Sequence, residues 1–183
     1  MNTSTKSILG LDISTSITGA TIIQDGKIKE SLFWDTRNKN KFPSLYEKAS
    51  LIRGHLKSLK SNHKITHIFI EQSLHSFRSG FSSAQTLSTL SRFNGIVSWL
   101  CYEIFGLQPQ MIAATSARKH AGVGIKRGDN AKEKVLQFIV DKYPDVEISY
   151  TKHGNPKPGT LDMCDSIIIA LAGDVVVREE GNT

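Results

Sequence analysis

The stretch ILGLDISTSITGATIIQDGKI, residues 8–28, decides the reading of the fold. An apolar run reaches Asp12, breaks into Ser and Thr, and resumes as the apolar TGATIIQ of residues 18–24. Runs of this length and β-branched content read as buried strands. Asp25-Gly26 then joins residues 18–24 to KIKESLFW, residues 27–34, and Asp-Gly between two such runs is a hairpin signal. A carboxylate inside a buried strand is costly unless something pairs with it. Asp12 therefore calls for a partner.

Working outward, the chain predicts strands at 7–13, 18–24, 27–34, 66–71 and 108–114. Helices are predicted at 44–60, 83–105, about 114–120, 130–143 and 161–177. The helix at 44–60 carries Leu45, Ala49, Ile52, Leu56 and Leu59 at helical spacing. Three meandering strands followed by alternating helices and strands imply an α/β domain. It has a mixed sheet of about five strands, the first three antiparallel, flanked by helices. The 183 residues suit one domain with a proper core, with 1–6 and 178–183 as loose tails.

Composition narrows the class. Hydrophobic residues make up 39% and charged residues 22%, an ordinary globular balance. No segment is apolar enough to span a membrane, and the N-terminus lacks a signal-peptide pattern. Cys101 and Cys164 both fall in apolar helical contexts, so a disulfide framework is not expected and a reducing cytoplasm fits. The net charge of +6 favours an anionic partner.

The acids carry the chemistry. Glu71 ends the apolar THIFIE, residues 66–71, while Asp162 and Asp165 share one face of the helix in LDMCDSIIIALA, residues 161–172. Singly, each has an ordinary explanation: a turn cap, a strand-end ion pair, or a helix-dipole partner. If the first and fourth strands are neighbours beneath the last helix, all four carboxylates converge. Hard oxygen ligands in that number suit Mg²⁺ or Mn²⁺, and two such ions can drive phosphodiester hydrolysis.

Four segments, in order from about residue 8 to 173, resemble those of RuvC-type Holliday junction resolvases of the RNase H-like, retroviral-integrase superfamily. LDISTSITGATII resembles the opening Asp motif, and IEQSLHSFRSGFSSAQTLSTLSRFNGIV the Glu-Gln segment with its following helix. ATSARKHAGVGIKRGDNAKEKV resembles the segment that runs from one Lys through a Gly-rich turn to another. DMCDSIIIALA matches the closing Asp-x-x-Asp helix. The resemblance implies that Asp12, Glu71, Asp162 and Asp165 hold two Mg²⁺ ions, with Mn²⁺ able to substitute. It also implies symmetric nicking of four-way junctions by a homodimer.

Arg118, Lys119, Lys126, Arg127, Lys132 and Lys134 form a basic segment suited to phosphate, with Lys119 and Lys132 best matching the family's functional lysines. Leu74 occupies the position where the family often places an aromatic wedge, with Phe77 or Phe81 as substitutes. His153 lies in the loop before the last helix, as an exposed polar residue or a phosphate contact. On the helix at 83–105, Leu87, Leu90, Phe93 and Val97 make an apolar stripe that reads either as core or as a subunit interface. A branch-migration helicase is a possible further partner. The competing functional readings are a flap or structured-RNA nuclease of the same fold, a junction-binding module that does not cut, and an actin-like or sugar-kinase-like ATPase.

Overall fold

The computed structural model describes residues 5–72 and 84–181. Five strands, β1 (Ser7–Asp12), β2 (Ile17–Gln24), β3 (Lys27–Asp35), β4 (His67–Glu71) and β5 (Gln110–Ile112), form one sheet in the order β3-β2-β1-β4-β5. The first three are antiparallel, while β4 runs parallel to β1 and β5 parallel to β4. Asp25 and Gly26 both take positive φ, 49° and 78°, the left-handed pair that a tight hairpin needs. This is the mixed, helix-flanked sheet expected from the sequence.

Alternation along the central strands separates two cores. Leu9, Leu11, Ile68 and Ile70 face α1 (Leu45–Asn62) and α2 (Ala84–Phe105). Ile8 and Phe69 face the opposite side, where α5 (Thr160–Glu180) lies on the sheet. The short helices α3 (Ala114–Ala121) and α4 (Ala131–Lys142) pack against α5. Residues 166–174 of α5 are all buried, as expected of a helix covered on every side.

Two glycines set how close α5 comes. A Cβ on Gly10 would lie 2.5 Å from the backbone nitrogen of Ala170, and one on Gly19 would lie 2.0 Å from the carbonyl oxygen of Asp162. The helix therefore rests on bare backbone. Thr21 and Ser166 join their hydroxyls at 2.8 Å beneath it.

Two expectations are corrected. The tail expected from residue 178 is helical to Glu180, and Lys6 is fixed by donating from Nζ to the carbonyl of Val177 at 2.8 Å. Phe93 and Val97, half of the stripe considered as an interface, are 0% exposed and fill the chain's own core against α1, so they offer nothing to a second copy. Leu87 and Leu90 are half-buried. The open side of α2 instead presents Arg92, Gly95, Trp99 and Tyr102, and both aromatics are 58% exposed. Cys101 and Cys164 are buried free thiols, and burial pushes each up to about 12. No helix among the described residues is long and apolar enough to cross a membrane.

Candidate active site

Register brings the first two acids together. Leu11 pairs with Ile70 across parallel β1 and β4, so Asp12 and Glu71 follow side by side at the ends of their strands. Leu11 and Ile70 point toward α1 and α2, so by alternation Asp12 and Glu71 point toward α5. Chain order reverses at this point: β2 lies on one side of β1 and β4 on the other. Open α/β sheets bind ligands at such a crevice, beyond the carboxyl ends of the parallel strands.

Helix α5 brings the other two. Asp12 pairs with Gly19 across β1 and β2, and Gly19 lies directly under the backbone of Asp162. The first turns of α5, with Asp162 and Asp165, thus sit over the end of β1. From the other side of the sheet, the buried Asn94 of α2 donates from Nδ2 to the carbonyl of Glu71 at 3.1 Å. The amide of Gln72 donates to the carbonyl of Ile112 at 2.9 Å, so the end of β4 is held on both flanks. The Ser and Thr run after Asp12 forms a tight turn: Ser14 Oγ accepts from the amides of Ser16 and Ile17 and donates to the carbonyl of Ile17.

Burial and neighbouring charge both act on the four carboxyls. Burial pushes Asp12 well above the ordinary aspartate range, and the charges of Glu71, Asp165 and Asp162 push it further. Glu71 is raised by burial and by Asp165, Asp165 by burial and by Asp162, and Asp162 by burial and by Asp35. Lys132 opposes the rise at all four, Arg118 does so at Glu71 and Asp165, and Arg37 at Asp162.

The expected convergence is met in part. The acids share one end of the sheet within electrostatic reach, but among the described residues no three acidic, His or Cys side chains are gathered closely enough to hold a metal ion as they stand. The donor set, four hard carboxylates whose charged forms burial disfavours, is of the kind that suits a hard divalent cation.

Of the expected phosphate-binding residues, Lys132 and Arg118 reach the cluster. Lys132 is in the first turn of α4, where Asn130 caps the helix by accepting from the Lys132 amide at 3.1 Å. Arg118 is half-buried on α3. Lys119, Lys126 and Arg127 are exposed on α3 and the following loop, where the Lys126 amide donates to Asp129 at 2.7 Å. His153 is exposed in the loop before α5, its amide directed to the Thr151 hydroxyl. Leu74, Phe77 and Phe81 lie outside the described residues.

The sequence reading missed Asn94, an amide within an apolar helix, and Arg37, which sits in the polar DTRNKNKF run. An Asn on the buried face of α2 was the available signal for the first. Nothing in the sequence ties Arg37 to Asp162.

Three solved structures share this architecture. Thermus thermophilus RuvC in complex with a Holliday junction substrate superposes with a TM-score of 0.67, covering 95% of this chain and 96% of that one at 12% identity. The fold is that of RuvC. A second structure of Thermus thermophilus RuvC gives a TM-score of 0.65 at 13% identity, covering 95% of this chain and 96% of that one. The yeast mitochondrial Holliday junction resolvase Ydc2 gives 0.62 at 12% identity, covering 96% of this chain and 80% of that one. No protein-family model and no curated protein matches the sequence.

Proposed function

We propose that the chain is a structure-selective endonuclease that resolves four-way DNA junctions by paired nicks. The observation that carries this reading is the group of four acids, Asp12 and Glu71 at the ends of adjacent parallel strands and Asp162 and Asp165 on the helix turn above them, at the switch point of a RuvC-like sheet. RuvC, similar in fold over 95% of this chain, is the protein seen with a Holliday junction, and that likeness supports branched DNA as the substrate class.

Asp12, Glu71, Asp162 and Asp165 would hold two divalent ions, Mg²⁺ with Mn²⁺ as a substitute. Bound there, such ions activate water and stabilise the departing 3′ oxygen. The chain's own residues do the rest. Lys132 and Arg118 draw a phosphodiester toward the acids, and the exposed Lys119, Lys126 and Arg127 extend the basic surface along an arm of the junction. Asn94 and the glycine-backed α5 hold Glu71 and Asp162 in place. A homodimer suits a substrate with two equivalent strands to cut. The open side of α2, with Arg92, Gly95, Trp99 and Tyr102, is the face we assign to it.

The test compares cleavage of a four-way junction, a flap, plain duplex, an RNA–DNA hybrid and structured RNA, each with Mg²⁺ and with EDTA. Preferential, metal-dependent symmetric nicking of the junction is expected. Preference for flap or RNA redirects the substrate, junction binding without cutting leaves only a binding module, and ATP turnover without cutting favours a phosphotransfer enzyme.

A further inference from the structure

A groove of about 690 Å³ runs along the edge strand β3, lined from both faces of the sheet, by Trp34, Leu51 and His55 on the α1 side and by Phe33 on the α5 side next to the acids. Its volume is in the range of small-ligand sites, roughly 300–1,000 Å³. Trp34 and His55 stack within it at 5.0 Å, 2° from parallel. Phe33, 40% exposed, forms the wall nearest the acids. Its ring packs on Gly159, the N-cap of α5, where a Cβ would lie 2.3 Å from the ring. Asp162 is three residues on, so the groove opens next to the carboxylate cluster.

The rim is basic. Arg37 donates from Nε to Asp35 Oδ1 at 3.0 Å and from Nη2 to Oδ2 at 2.6 Å. That pairing fixes the guanidinium plane and leaves Nη1 without a partner among the described residues. Lys41 lines the same groove, and Lys39 stands beside it on the same exposed loop, so the cations outnumber Asp35. Asn38 Oδ1 accepts from the amides of Asn40 at 3.0 Å and Lys41 at 3.1 Å, which leaves its NH₂ as a donor. A half-exposed ring, a fixed guanidinium, an ammonium resting over the Phe42 ring at 5.4 Å and an oriented amide are the parts that hold a base together with its phosphate.

We infer that this groove receives one nucleotide of the DNA beside the scissile phosphate, its base on Phe33, its phosphate on Arg37 and Lys41, and its edge read by Asn38. The inference rests on the nuclease reading above and assigns that site a means of choosing sequence.

The test uses four-way junctions carrying 2-aminopurine in turn at each position near the branch, bound in EDTA by wild type, Phe33→Leu, Asn38→Ala and Lys41→Ala, with affinities taken by anisotropy. One position should be quenched by wild type and not by Phe33→Leu, and that variant should bind about 5- to 150-fold more weakly. Lys41→Ala, on an exposed loop, should also weaken binding, which keeps the proposal decidable if Phe33→Leu fails to fold. Asn38→Ala should level cleavage across a panel of junction sequences. Wild-type affinity in the folded variants, with an unchanged quenching pattern, overturns the groove assignment even if wild type cuts junctions well. Quenching at the groove by a wild type that cuts nothing supports the nucleotide site and removes the nuclease reading. Absence of any DNA binding overturns both.

Discussion

Gly19→Ala should separate positioning of the site from the mere presence of its acids. The added methyl would stand 2.0 Å from the Asp162 carbonyl oxygen and 2.6 Å from its carbonyl carbon, where ordinary contact begins at 3.4 Å. Both neighbours are backbone, so no side chain can swing aside. The first turn of α5 must rise by roughly an ångström, carrying Asp162 away from Asp12. Overpacking of this kind costs about 1–3 kcal/mol, and at about 2–4 °C per kcal/mol for a chain of this size the melting temperature should fall by about 2–12 °C. Misplacement of about 1 Å costs roughly 100-fold in rate. Thermal unfolding, junction binding in EDTA and single-turnover cleavage in Mg²⁺ together give the answer: binding near wild type, cleavage down about 100-fold. Gly10→Ala is the control, since its methyl meets the middle of the helix at Ala170, 2.5 Å away. It should cost similar stability with a smaller loss of rate. Equal rate losses in the two variants at equal stability, or a Gly19→Ala protein indistinguishable from wild type, would refute the reasoning.

Asp12→Asn should abolish cleavage and preserve junction binding. It should also raise the melting temperature of metal-free protein at neutral pH, because it removes the carboxylate that burial and three like charges disfavour most; a lowered melting temperature would contradict that account. The pH dependence follows from the same shifts. Asp12, Glu71, Asp162 and Asp165 all have folded-state pKa values above their unfolded values, so the folded state binds more protons in between. Metal-free stability should therefore fall as pH rises from about 4 through the raised values, and millimolar Mg²⁺ should restore it, as read by melting temperature across that range. Lys132→Ala removes the cation that lowers all four pKa values, so the acid limb of the cleavage–pH profile should move to higher pH. Lys126→Ala or Arg127→Ala should leave that limb in place and reduce the salt slope of binding by about one.

What was legible in the sequence was local. Asp25-Gly26 announced the hairpin because a turn with two positive φ angles admits few residues, and the apolar runs ending at Asp12 and Glu71 located β1 and β4. The Asp162-x-x-Asp165 spacing placed two acids on one helical face. What was hidden was set by contacts between distant segments. Gly10 and Gly19 look like incidental glycines until α5 is laid on them. The stripe on α2 has the same pattern whether it meets α1 or another subunit, and only packing showed that Phe93 and Val97 are consumed within the chain. Arg37 lies in a run of polar loop residues whose spacing carries no period, so its closeness to Asp162 left no trace in the order of residues.

The balance of charge at the site bears on what it can bind. Four carboxyls face Lys132 and Arg118 there, with Arg37 shared between Asp35 and Asp162. Fully ionised, the cluster is net negative, and a phosphodiester brought against it adds another negative charge. A surface meant only to hold DNA would gain from losing these acids, since each repels the ligand and each resists burial. Protonation offers one relief, and the raised pKa values supply it at low pH. At neutral pH, divalent cations held by the four carboxylates would offer the other, by neutralising the charge that otherwise repels the phosphate. The proposed divalent ions would therefore resolve a conflict that otherwise sets the acidic cluster against the basic surface around it. On this reasoning binding in EDTA is governed by the outer lysines, while access of phosphate to Asp12 itself depends on the metal.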